Sequence, residues 1–112
     1  MTEEMEEMYL NQLEEAVKIG FQIIKNNGDG KEAVEKTINY LENSILFNAG
    51  KGSVYCSNGI HELEASIMDG STLQCGAVSL LTRVRNPIKA ARLIMHTTPH
   101  VYMVGTAAEQ LI

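Results

Sequence analysis

Apolar residues spaced three and four apart run through the start of the chain and predict an amphipathic helix. Its stripe consists of Leu10, Leu13, Val17, Phe21 and Ile24. The acidic residues between Glu3 and Glu7 suit the positive end of the helix dipole. Asn26-Asn27-Gly28 predicts the end of the helix, with Gly28 in the left-handed C-terminal position.

A second helix is predicted directly afterwards. Asp29 is its candidate N-cap, and Glu32, three residues on, completes a capping-box pair. The connection between the two helices is short, which implies antiparallel packing. The apolar stripe of the second helix consists of Val34, Ile38 and Leu41.

The period then changes to that of strands. Asn58-Gly59 joins a strand-like run at 53–57 to another that begins at Ile60 and continues to Met68, a strong hairpin signal. Asp69-Gly70 predicts a further turn. The run from Gly76 to Leu81 is small and then apolar, as in a buried strand.

The last part of the chain predicts a helix, a strand and a final helix. Asn86 caps the third helix, Pro87 occupies its first position, and Thr98-Pro99 closes it. A strand covers Val101 to Val104. Thr106 and Glu109 form a capping box for a last helix that looks interrupted at Ile112. The buried stripe of the third helix consists of Ile88, Ala91, Ile94 and Met95.

The predicted order is therefore α-α-β-β-β-α-β-α, an α+β chain with an antiparallel core. Its 112 residues allow one domain. A net charge of -5 argues against a nucleic-acid partner, and no apolar stretch is long enough for a membrane span. The acidic first residues and the two cysteines favour a cytoplasmic location.

The segment from Leu46 to Val54 is an unusual loop, because two glycines flank Lys51 and Asn48 sits among apolar residues. Two interpretations stay open at this point. Asn48 satisfies backbone groups in a tight connection, or the loop carries function on a rigid scaffold.

Five segments in register resemble the plant-type asparaginase and isoaspartyl peptidase family. The resemblance covers roughly residues 10 to 112. The segments are Leu46–Gly52, Glu62–Gly70, Gly76–Val78, Asn86–Arg92 with its Asn-Pro-Ile and Ala-Arg elements, and Thr98-Pro99-His100.

This resemblance implies an αββα sandwich made as a precursor that cuts itself into an α and a β chain. The first Thr of the β chain then attacks asparagine or a β-aspartyl peptide, with its own amino group as the base. Partners implied by the family are the β chain, a homodimer of such αβ units, and the small-molecule or peptide substrate.

The resemblance also assigns residues. Asn48 lies near the reacting centre, and no catalytic residue is expected in this chain. A structural sodium ion is bound by main-chain carbonyls, and hard oxygen ligands suit such a cation. Matched by position, these carbonyls belong to Leu41, Glu42, Ser44, Phe47, Ala49 and Lys51.

The sequence departs from the family pattern in several places. The family's first strand, its nucleophile segment and its substrate clamp have no counterpart here. Ile45 replaces a Pro, and Glu64 replaces a frequent Asp. We therefore expect the α-chain part of an asparaginase, incomplete and inactive alone. The alternative is a truncated, non-enzymatic paralogue that acts as a binding or regulatory module.

Other candidate residues have plainer interpretations. The capping box explains Thr106 better than a nucleophile does, and neither Cys56 nor Cys75 has a basic neighbour that would lower its pKa. Glu62 and Glu64 share a strand face and are expected to be solvated. The spacing of the histidines does not indicate zinc. They are His61, His96 and His100.

Overall fold

The computed structural model describes residues 1–112 as four helices, a three-residue 3-10 turn and a three-stranded sheet. The α+β class is confirmed. In chain order the elements are α1 (Glu3–Lys25), α2 (Gly30–Glu42), the turn Gly50–Gly52, β1 (Leu63–Met68), β2 (Cys75–Leu81), α3 (Pro87–Thr97), β3 (Tyr102–Val104) and α4 (Gly105–Glu109).

The sheet has the order β1-β2-β3, and β2 is its central strand. β1 pairs antiparallel with β2, whereas β3 pairs parallel with β2 after the crossover through α3. The expectation of an antiparallel core was therefore wrong for β3. A strand that follows a crossover helix returns in the same direction as the strand before that helix.

The core lies where α3 covers the sheet. The apolar stripe predicted for α3 is buried, and Val78 and Leu81 of β2 pack against it. Gly76 permits this close approach, because a side chain there would collide with the backbone of Ala91. The core cluster consists of Ile67, Val78, Leu81, Ile88, Ala90, Ala91, Ile94, Met95 and Ala108.

α1 packs on α2 through its small residues and leaves the predicted apolar stripe exposed. Ala16 and Gly20 are buried, and a side chain at Gly20 would overlap Thr37 of α2. The apolar stripe of α1, from Leu10 to Ile24, is between 42% and 65% exposed. Small residues let two helices approach closely, so the contact with α2 does not use the stripe.

The first predicted strand is absent, so the hairpin of regular strands was wrong. Residues 53–56 are outside any strand, although the tight turn at Asn58-Gly59 exists, with the Cys56 N–H bonded to the Ile60 carbonyl at 2.8 Å. The polar groups of this segment form hydrogen bonds with side chains instead of with a neighbouring strand. Asn48 Oδ1 accepts the Val54 N–H at 2.9 Å, and the Ser53 hydroxyl contacts His61. The observed order has three strands where four were predicted.

Several predicted helix ends differ in detail. Asn27, with φ of 61°, takes the left-handed position expected of Gly28. Asp29 caps α2 as predicted, through the Lys31 N–H at 2.8 Å. Asn86 is the N-cap of α3, but its side chain makes no capping bond. The capping box of Thr106 and Glu109 does not form, because α4 already begins at Gly105.

The molecule is a flat slab that measures 47 × 43 × 17 Å along its principal axes. Its radius of gyration is 15.1 Å. This is larger than the radius of gyration of roughly 13 Å for a compact chain of about 100 residues. No helix is both long and apolar enough to cross a membrane.

Candidate functional site

The loop that joins α2 to β1 folds back onto the end of α2. Gly50 has φ of 52°, and a Cβ atom there would lie 2.5 Å from the carbonyl oxygen of Glu42. Gly52 is equally confined, since its Cβ atom would collide with the Phe47 carbonyl and lie 2.7 Å from that of Ser44. The two glycines thus permit the loop to pass close to three carbonyl oxygens.

Three of the six carbonyls predicted to bind sodium lie close to these glycines. They are the carbonyls of Glu42, Ser44 and Phe47, and Leu41 and Glu42 are the last two residues of α2. Three of the six already accept internal N–H groups. They are Leu41 from Ser44 at 3.2 Å, Phe47 from Ala49 at 2.8 Å and Ala49 from Gly52 at 3.1 Å. A carbonyl oxygen has a second lone pair, so these internal bonds do not prevent the three carbonyls from binding a hard cation as well.

Two buried side chains fix the start of the loop. Ser44 accepts the Leu46 N–H at 3.0 Å, and its hydroxyl bonds to the Gln12 side chain of α1. Glu42 is 2% exposed and accepts the Ile88 N–H at 3.0 Å and the Asn86 amide at 3.3 Å. Glu42 therefore caps α3, the role expected of Asn86. Burial raises the pKa of the Glu42 carboxyl, although these hydrogen bonds oppose the shift.

Asn48 is exposed on the outer side of the loop. Its bond to the Val54 N–H confirms the interpretation in which Asn48 satisfies the backbone. A cleft of about 250 Å³ opens beside it, and Glu62 and Glu64 line this cleft together with Glu42. The structure thus brings Asn48 together with the carboxylates of Glu62 and Glu64. The position of Asn48 near a reacting centre stays a prediction.

The cysteines lie apart and are unpaired. The Cys56 thiol is 3.6 Å from the carboxylate of Glu62, and no basic group is bonded to either sulfur. Cys75 opens β2 opposite Met68. Both thiols are half-buried.

Thr106 lies on α4, away from the Asn48 cleft. Glu109 instead bonds outside its helix: Oε1 accepts the N–H groups of Thr82 at 2.6 Å and Arg83 at 3.0 Å. These bonds lower the pKa of Glu109. His96 is in the last turn of α3, as expected, and His100 lies in the following loop.

Two relationships at the site carry no signal in the sequence. One is the capping of α3 by Glu42, which joins residues 46 apart. The other is the pair formed by Ser53 Oγ and His61 Nδ1 at 2.8 Å, with the His61 ring against Tyr55. Residue type and local spacing do not predict either pair, because both depend on the path of the loop.

Comparison with known proteins then decides the family. A family model described as asparaginase matches residues 1–112. The chain belongs to the asparaginase family. The resemblance of the five sequence segments is thereby confirmed.

Members of the asparaginase family with curated names are similar over most of this chain. An isoaspartyl peptidase of Salmonella typhimurium is 44% identical over 109 residues, which are 97% of this chain and 35% of that protein. An isoaspartyl peptidase/L-asparaginase of Mus musculus is 48% identical over 91 residues, 81% of this chain and 28% of that protein. The human protein of that name is 45% identical over 95 residues, 85% of this chain and 31% of its own length. The chain spans about a third of the length of these relatives.

Proposed function

We propose that this chain supplies the α-chain part of a hydrolase that cleaves asparagine and isoaspartyl peptides. The observation that carries the proposal is the family match over residues 1–112, together with relatives named as isoaspartyl peptidases. The nucleophile would be the first Thr of a β chain, released when a precursor cuts itself. Within this chain, Asn48 and the loop around it would border the reacting centre.

The shape of the chain supports a partner of this kind. The stripe on α1 and the faces of Met68 and Leu80 expose large apolar side chains. Large apolar side chains exposed to this extent are typical of interaction surfaces. A β chain that completes an αββα sandwich would cover it, and two such αβ units would form the homodimer. The free thiols of Cys56 and Cys75 suit a cytoplasmic location.

Complementation tests this function directly. The chain is coexpressed with the segment of the Salmonella typhimurium relative that would be its β chain under this proposal, starting at the expected nucleophilic Thr. Release of aspartate from β-Asp-Leu and of ammonia from asparagine is then measured. We expect no turnover from the chain alone and measurable turnover from the pair. A β chain with its first Thr changed to Ala is the control.

Two outcomes would contradict the proposal. One is turnover by the repurified chain alone, which would place a nucleophile within these 112 residues. The other is a soluble pair that forms without turnover, which would favour the non-enzymatic binding module. In the active pair, Asn48→Ala separates the roles of Asn48. Loss of activity at an unchanged melting temperature would support a role at the reacting centre.

We extend the proposal to a structural sodium ion bound by the six main-chain carbonyls named above. The three carbonyl oxygens that lie close to Gly50 and Gly52 support it, and the ion would stabilise the loop without taking part in chemistry. An ion that binds only the folded state raises stability by mass action. We expect a higher melting temperature in sodium chloride than in tetramethylammonium chloride at equal ionic strength. Identical melting in the two salts would contradict it.

A further inference from the structure

A second cleft, of about 480 Å³, opens beside the turn Gly50–Gly52 and is lined mainly by basic side chains. Five residues line it: Gly50, Lys51, His61, Leu63 and Arg85. None of them is acidic, although the chain as a whole has 14 acidic and 9 basic residues. This clustering of positive side chains therefore runs against the composition of the chain.

The two cations of this cleft have no internal counter-charge. All five ion pairs of the chain use Lys18, Lys31 or Arg92. Lys51 and Arg85 are in none of them, and both are exposed. Lysine and arginine are the side chains that bind phosphate in proteins, the first as a point charge and the second through a planar fork.

His61 adds an imidazole ring that its neighbours hold in a fixed orientation. Its Nδ1 lies 2.8 Å from Ser53 Oγ, and its ring stacks at a tilt on Tyr55 with centroids 4.0 Å apart. When the Ser53 hydroxyl donates to Nδ1, the neutral ring carries its proton on Nε2. Nε2 has no partner within the chain and is then free to donate to a ligand oxygen.

We propose that this cleft binds a phosphate dianion, either inorganic phosphate or the phosphate group of a small monoester. Two uncompensated positive charges and a third donor match a ligand with two negative charges and several oxygens better than they match a monovalent ion. The adjoining clefts do not offer this match. Glu62 and Glu64 line the one beside Asn48, and Glu109 lines the one that Arg85 shares with Arg83. The inference does not depend on the proposed hydrolase.

Titration of the ¹⁵N-labelled protein with inorganic phosphate tests the site. We expect saturable shifts of the amide signals of Gly50, Lys51 and His61. Lys51→Gln and Arg85→Gln should each weaken binding by about fivefold or more, since each removes a charge-assisted hydrogen bond. Lys89→Gln removes the same charge from an exposed position outside the cleft and should change the affinity by less than about twofold.

The comparison of ligands identifies the source of the phosphate. Tighter binding of glycerol 3-phosphate than of inorganic phosphate would support a monoester, and the reverse order would support the free anion. Equal shifts with chloride at matched ionic strength would overturn the proposal, as would equal weakening by Lys89→Gln and Lys51→Gln. If a Gln variant loses its folded spectrum, Lys51→Arg and Arg85→Lys replace it. These variants retain the charge and should retain binding.

Discussion

Gly50 lies against the last residue of α2, so closely that a Cβ atom on it would be 2.5 Å from the carbonyl oxygen of Glu42. Its φ of 52° is also in the region that other residues rarely adopt. The contact lets the loop fold back onto the end of α2. The side chain of Glu42 bonds separately to the first turn of α3.

Gly50→Ala should lower the stability of the protein. The left-handed backbone costs a non-glycine residue about 1–2 kcal/mol, and the overlap with Glu42 adds to this. Thermal unfolding followed by circular dichroism measures the change. Gly30→Ala is the matched control, because Gly30 is in α2 with open space around it, and we expect equal or higher stability there. Equal melting of the two variants would contradict the account of the loop.

The buried carboxyl of Glu42 should make the stability of the folded chain depend on pH in a defined direction. Burial raises the pKa of its carboxyl above the ordinary 4.5, so the folded chain binds this proton more tightly than the unfolded chain does. Its contribution to stability therefore falls as pH rises from 4.5 through the raised value.

Glu42→Gln has no proton to lose at this position. We expect the free energy of unfolding of the natural chain to fall relative to the variant as pH rises from 4.5 through the raised pKa of Glu42. Denaturant unfolding at a series of pH values measures the difference. A constant or rising difference would contradict the predicted sign.

The carboxylate of Asp69 should change the stability with pH in the direction opposite to that of Glu42. Its carboxylate accepts the Ser71 hydroxyl at 2.7 Å and the Ser71 N–H at 2.9 Å, and it contacts the Lys31 ammonium at 3.2 Å. These contacts, those of Ser71 foremost, lower the pKa of Asp69 well below the ordinary 3.8. The stabilisation is complete above 3.8 and is lost as pH falls through the lowered value.

Asp69→Asn should therefore melt at a lower temperature than the natural chain at neutral pH. The gap should shrink as pH falls below about 4. Thermal melts over that range measure it. Glu7→Gln is the control, since Glu7 is exposed on α1 and its side chain makes no hydrogen bond, so its gap should stay near zero. A gap that persists unchanged in acid would show that the Asp69 charge does not contribute.

The apolar stripe of α1 should promote association of the isolated chain. Val17 is 65% exposed and Phe21 is 57% exposed, so changing both to Gln removes apolar surface without opening the core. We expect weaker association in sedimentation velocity and less binding of a hydrophobic dye, at an unchanged melting temperature.

A change on the side of α1 that faces α2 should behave differently. Gly20→Ala would push a methyl group against Thr37 and separate α1 from α2. Overpacking of this kind costs about 1–3 kcal/mol, so this variant should melt earlier and keep its association. If the variant with both Val17 and Phe21 changed to Gln associates as strongly as the natural chain, the stripe is not the surface through which the chains associate.

The sequence predicts the helices and the central strands well, because each carries a periodic pattern of its own. α3 is an example, with Pro87 at its start and a buried stripe that follows the spacing of Ile88, Ala91 and Ile94. The pattern also predicts the stripe of α1, yet it does not say what the stripe contacts. Whether a helix face is buried depends on which other element packs against it. In α1 the small residues Ala16 and Gly20, and not the stripe, form the contact with α2.

The candidate site is less predictable, because its contacts join distant parts of the chain. The Val54 N–H and the Ser53 hydroxyl bond to Asn48 and His61 rather than to a neighbouring strand. A run such as 53–57 looks like a strand when its own residues alone are considered. The same limit applies to Glu42, whose partners on α3 are more than 40 residues away.

The thinness of the slab has a consequence for amide hydrogen exchange. With an extent of 17 Å in one direction and 18 of 112 residues buried, few amides lie far from water. Slow exchange should be confined to the centre of β2 and the inner face of α3, around Val78, Leu81 and Ile94. The amides of α1 should exchange through local opening, because that helix can separate from α2 while the sheet and α3 stay together.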